Sequence, residues 1–108
     1  MNYSDNHIDY GLLMQIRNGN EKAFSTVFVT YHRYLYVLAS RYLMSETYAE
    51  DAVQHTFMRL WEGRETFDYQ KGIKNLLFTI LKNHLLNEIR HNNLALQKNY
   101  ELAQLSEE

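Results

Sequence analysis

The chain has 108 residues, 45% of them hydrophobic, with a formal net charge of -2. That is enough for one domain with a modest core, and too acidic for a protein that coats nucleic acid by charge alone. The absence of cysteine excludes a disulfide framework, a thiolate zinc site and a thiol nucleophile.

The first residues, "MNYSDNHIDYG", are polar, and no apolar run approaches the roughly 20 residues that span a bilayer. The chain reads as soluble and cytoplasmic, with no membrane partner. Proline is also missing, so the four glycines are the main backbone interruptions. From Asp9 to Asn18, Leu12, Leu13 and Ile16 recur at helical spacing. This predicts a short helix with Asp9 as N-cap and Gly19 beyond its end. From Asn20 to Met44, Phe24, Val27, Phe28, Tyr31, Leu35, Leu38 and Tyr42 lie on one helical face. The unbroken run "YLYVLA" marks this as the central helix.

A third helix is expected from Thr47 and Glu50, which have capping-box spacing, to Gly63, which suits a left-handed residue past the last turn. Ala49, Ala52, Val53, Phe57, Leu60 and Trp61 form its buried stripe. Asp51, Gln54, His55, Met58, Arg59 and Glu62 are left on the outside, a mixed polar row with one methionine that suits a reversible protein interface. The next stretch, "RETFDYQKG", is an irregular loop. A fourth helix follows from Ile73 to about His91, with Leu76, Leu77, Ile80, Leu81, Leu85 and Ile89 facing inward. The tail from Asn92 onward has weak leucine spacing and is expected to be partly disordered. The fold class is therefore all-α, a compact bundle of about four helices.

Charge is unevenly spread. Residues 1–62 carry five Lys/Arg against seven Asp/Glu, residues 63–98 six against three, and the last ten residues three acids without a base. The basic segment also holds aromatics and amides: Phe67, Tyr69, Lys71, Lys74, Phe78, Lys82, Asn83, His84, Asn87 and Arg90. Aromatic faces can stack on unpaired bases, cations hold phosphates and amides bond base edges, although the same pattern describes a solvated helix face. Asp51 and His55 are four residues apart and could share a ligand. Glu88 and His91 have Glu-x-x-His spacing but lack the partner motifs that a di-metal bundle requires. No phosphate loop, serine elbow or paired-carboxylate motif is present, so the reading includes no catalytic residues, no metal and no cofactor.

The third segment resembles region 2.2 of bacterial sigma factors of the extracytoplasmic-function (ECF) group. Ala49-Glu50-Asp51, Gln54, Phe57 and Leu60-Trp61 match the pattern A-E-D-x-x-Q-x-x-F-x-x-L-W. Gly19 to Leu43 is similar to region 2.1. Ile73 to Arg90 is similar to the region 2.3 to 2.4 helix through Leu77, Ile80, Asn83 and Arg90. Leu76 stands where the family often has Trp, Asn87 where it often has Asp, and His55 where an acid usually follows the Gln.

The resemblance implies a region 2 domain over residues 9–92, followed from 93 to 108 by the start of an inter-domain linker. The family's helix-turn-helix region 4 is not expected within this chain. It further implies that Asp51, Gln54, His55, Met58, Arg59 and Glu62 contact the clamp helices of the largest RNA polymerase subunit. Phe67, Asp68, Tyr69 and Lys71 would form a pocket for an extruded base of the promoter minus-ten element, on the non-template strand. Asn83 and Asn87 would meet bases or sugars, and Lys74, Lys82 and Arg90 the backbone. An anti-sigma factor is a further partner of the kind the family implies. The alternative is a helical module that binds polymerase or an anti-sigma partner without recognising DNA.

Overall fold

The computed structural model describes residues 3–92, with side chains from 10 to 91. The tail expected to be partly disordered, including the linker from 93 to 108, lies outside the described residues. The described chain forms four helices: α1 (Tyr3–Arg17), α2 (Glu21–Leu43), α3 (Glu46–Glu62) and α4 (Ile73–Asn92). The α2 helix packs on all three others, α3 rests on both α2 and α4, and α1 closes the bundle against α2 and α4. The all-α bundle expected from the periodicity is what forms. No helix among the described residues is long and apolar enough to cross a membrane.

The α1 helix starts earlier than expected, and Asp9 lies inside it. Gly11 does not stop it either, because an interior glycine costs only about 1 kcal/mol relative to alanine. Leu13 and Ile16 are fully buried and anchor this helix in the core. The chain then turns at Gly19, whose φ of 91° is a left-handed conformation that glycine adopts without a Cβ penalty. Asn20 caps α2, its side-chain oxygen accepting the Ala23 N–H at 3.0 Å.

Along α2, Val27, Tyr31, Leu35 and Leu38 are buried, and Phe24, Phe28 and Tyr42 pack partly against the core. Within the apolar run, Val37 remains 42% exposed, so even the central helix keeps a solvent face.

Two residues separate α2 from α3, and both differ from the expected capping pattern. Met44 ends α2 in the left-handed region at φ 55°. Ser45 is the N-cap of α3, and its hydroxyl accepts the Tyr48 N–H at 3.3 Å. Thr47 thus sits in the first turn: the tight link brings the first extended residue, and so the cap, two positions forward. At the other end Gly63 has φ -100°, which is not left-handed. Its reason for being glycine is proximity, since a Cβ there would lie 2.8 Å from Cε2 of Phe67.

The predicted stripe of α3 is buried apart from Trp61, which is partly covered, and Thr56 joins it. The Thr56 hydroxyl is satisfied by donating to the Ala52 carbonyl at 2.8 Å. On α4 the inward face is broader than predicted. Phe78 and Leu86 are buried alongside Leu77, Ile80, Leu81, Leu85 and Ile89, while Leu76 is only partly buried. Helices facing neighbours on two sides need a wide apolar arc, and α4 has three.

Candidate protein and nucleic-acid interface

The α3 helix is a ridge with a groove on each side. Asp51, Gln54, His55, Met58, Arg59 and Glu62 are all exposed, as their helical spacing predicts. They do not form one uniform patch. Gln54 and Met58 lean toward α2 and line a groove of about 480 Å³ with Glu21, Phe24, Ser25, Phe28, Phe57 and Trp61. His55 and Arg59 lean the other way and line a groove of about 960 Å³ shared with α4 and the loop. Asp51 borders a smaller recess with His55 at the far end of the ridge. Glu62, in the last turn, lines neither groove.

The wall of the α2/α3 groove is an aromatic cluster. Phe24 meets Phe57 edge-on with centroids 6.2 Å apart, Phe24 lies 5.0 Å from Trp61, and Phe28 lies 4.8 Å from Phe57. Contacts of this kind add about 0.5–1.5 kcal/mol each beyond area burial and hold the rings in place. Met58 stands 58% exposed at its rim, a flexible apolar side chain available to a partner.

The α3/α4 groove has a different chemistry. Asn83, Asn87 and Arg90, at steps of four and three, fall on one stripe of α4 and line it together with Phe67 from the loop. The Arg59 guanidinium lies over the Phe67 ring, 5.6 Å from its centroid. Thr79 and Leu76 extend the same stripe toward the start of α4. Thr79 was not singled out from the sequence, although its four-residue step to Asn83 is visible there.

Other residues proposed from the sequence stand elsewhere. Tyr69 is buried, its hydroxyl donating to the Arg64 carbonyl at 2.6 Å. Burial pushes its phenol above the usual range, against the pull of Arg17 and Arg64, so it serves as a neutral donor within the loop. Asp68 is exposed and accepts the Gln70 N–H at 3.0 Å, which shapes the turn. Lys71 is exposed on the loop. The Lys74 ammonium lies 4.9 Å from the centre of the Tyr34 ring on α2, and Lys82 is partly buried on the flank of α4; neither lines the groove.

Arg64, counted in the basic segment, is a structural residue. Its Nη1 donates to the Trp61 carbonyl at 2.8 Å, the guanidinium stacks 4.3 Å from the Trp61 ring, and its tip approaches Gly19. It holds the start of the loop against the end of α3 and lies beside the α1/α2 turn.

The α3/α4 contact also contains a pair of histidines. The rings of His55 and His84 stack with centroids 4.0 Å apart and planes 20° from parallel. Burial first, and the neighbouring His55 second, hold the His84 imidazole below its ordinary value, with Glu88 opposing them. Among the described residues, no three His, Cys, Asp or Glu side chains converge to hold a metal ion.

Residues 27–94 match the family described as Sigma-70 region 2, covering α2 from its second turn, α3, the loop and α4. The chain is also similar to the ECF RNA polymerase sigma factor SigW of Bacillus subtilis (strain 168), at 28% identity over 78 residues. That alignment covers 72% of this chain and 42% of SigW, so the chain spans less than half the length of that relative. No solved structure matches. The matched segment contains the ridge and the α3/α4 groove, while the α2/α3 groove extends beyond it to Glu21, Phe24 and Ser25; the chain belongs to the Sigma-70 region 2 family.

Proposed function

We propose that this chain is the region 2 domain of an ECF-type sigma factor acting with bacterial RNA polymerase in transcription initiation. The domain spans residues 9–92, and 93–108 begin the linker to the rest of the factor. It works in the cytoplasm by binding rather than by catalysis. The outer face of α3 docks on the clamp helices of the largest polymerase subunit, with the aromatic-walled α2/α3 groove beside it. The α3/α4 groove receives the non-template strand of the minus-ten element.

The observation that carries this reading is the chemical contrast across α3. One groove is walled by four aromatic rings and a methionine with Glu21, Ser25 and Gln54 at its edge, and the other carries two amides, two arginines, two histidines, Glu88 and the loop aromatic Phe67 over a floor of Leu76, Ile80 and Leu86. Unpaired bases need a stacking face and groups that bond their edges, and Phe67, Asn83 and Asn87 supply both within one groove. Flipping a base costs a few kcal/mol, and stacking returns about 1–3 kcal/mol per base. One captured base therefore roughly offsets one opening, and the domain assists melting once polymerase holds it in place. With Tyr69 turned inward, Phe67 is the loop aromatic that performs the stacking.

A second reading, a module that binds polymerase or an anti-sigma factor without reading DNA, is favoured by one observation. Of Lys71, Lys74, Lys82 and Arg90, only Arg90 lines the groove. Binding of the polymerase complex to a forked promoter fragment with an exposed minus-ten strand separates the two. Asn83→Ala and Arg90→Ala should each weaken it by about 1–3 kcal/mol while leaving polymerase association intact. Unchanged binding in both variants would support the second reading.

A further inference from the structure

The stacked histidines sit where the ridge meets the polar groove. His55 comes from α3 and His84 from α4, and both line that groove as well as the recess of about 280 Å³ at its end. We infer that His55 and His84 form a proton-dependent phosphate subsite: a single proton held by the stacked pair binds a backbone phosphate of the nucleic-acid strand lying in the α3/α4 groove. The inference rests on reading that groove as the nucleic-acid surface; it brings in His55 from the ridge and gives His84, so far only a member of the basic segment, a specific role on the strand.

Charge around the pair explains why a proton would matter. Asp51 stands one turn before His55 on α3, and Glu88 one turn after His84 on α4; both line the recess, together with Tyr48. Arg59 and Arg90 line the adjoining groove, and the α2 residue bordering the recess, Leu43, carries no charge. The two arginines are thus matched by two carboxylates, and the surface is close to neutral while both imidazoles are neutral. One added proton tips it positive at the place where the two helices meet.

A second proton is opposed. Two imidazolium rings 4.0 Å apart would repel strongly, and His55 already disfavours protonation of His84. Glu88, one turn along α4 from His84, favours the first. A phosphate arriving at the pair stabilises the singly protonated form, so binding of the strand draws in a proton, and acidification must in turn tighten binding.

The test is the affinity of the whole chain for a short single-stranded oligodeoxynucleotide across the range in which histidine titrates. One linked proton allows at most about a tenfold change per pH unit, and about fivefold tighter binding is expected at pH 5.5 than at pH 7.5. His84→Gln and, separately, the exposed His55→Gln should each flatten this dependence, with circular dichroism confirming that both variants are folded. A parallel proton NMR titration should show the His84 ring shifting to a higher pKa when the oligonucleotide is bound. PH-independent binding by the wild-type chain, or a dependence that survives both substitutions, would overturn the subsite and leave the groove assignment standing. Absence of any strand binding at either pH would overturn both.

Discussion

The two grooves beside α3 are built from the same helix yet differ in how they are held. On the α2 side the walls are rings packed ring against ring, with Phe57 buried beneath them. On the α4 side Asn83, Asn87, Glu88 and Arg90 stand on α4 opposite His55 and Arg59 of α3, over edges of Leu76, Ile80 and Leu86, and Phe67 comes from a loop braced by Tyr69 and Arg64. The first groove is an outcrop of the hydrophobic core, and its shape depends on global stability. The second is a decorated surface, and its chemistry can change with little effect on the fold.

That contrast can be broken most severely at Phe57. Phe57→Ala removes the ring that both Phe24 and Phe28 contact and should cost about 3–5 kcal/mol in denaturant unfolding. If the loss were below about 0.5 kcal/mol, the usual range of a surface change, the aromatic wall would not belong to the core. Gly63→Ala probes the other side. The new Cβ would overlap the Phe67 ring, which must move, at a cost of about 1–3 kcal/mol. The same change should shift the Phe67 ring resonances and disturb its contact with Arg59, and unaltered resonances would show that the close approach is relieved elsewhere.

The smallest expected effect is that of pH on the free chain. His84 is held below its ordinary value near 6.5, so on acidification the unfolded chain takes up the proton first. Stability without ligand should therefore fall as pH drops through and below that value, and His84→Gln should remove part of the decline seen in thermal unfolding. The sign is opposite to that expected for strand binding, because only the bound phosphate rewards the protonated pair.

Much of this was legible in the sequence because apolar spacing reports burial directly. The stripes of α2 and α3 and the outward set from Asp51 to Glu62 follow from helical period alone. The helix starts were harder to read. Thr47 and Glu50 have the spacing of a capping box, yet Ser45 holds the cap, because the left-handed turn at Met44 fixes where α3 can begin. Asp9 failed as a cap for a related reason, since nothing before it breaks the helix.

The site was less legible than the fold. Period places Asn83, Asn87 and Arg90 together and Lys82 on a neighbouring face, a distinction that the net charge of a whole segment does not carry. Tyr69 and Arg64 look like surface groups in an irregular loop, and only their carbonyl partners reveal them as its internal supports. The His55–His84 stack joins residues far apart in the chain, so no local spacing announces it.

The central claim is that the two sides of α3 serve different partners, and it is tested most directly by the affinity of this chain for the isolated clamp-helix segment of RNA polymerase. Gln54→Ala, Met58→Ala and Asn83→Ala would be compared with the wild-type chain. The account predicts that wild type binds, that Gln54→Ala and Met58→Ala weaken binding, and that Asn83→Ala does not. A folded wild-type chain that fails to bind, or an Asn83→Ala loss as large as that of Gln54→Ala, would contradict it.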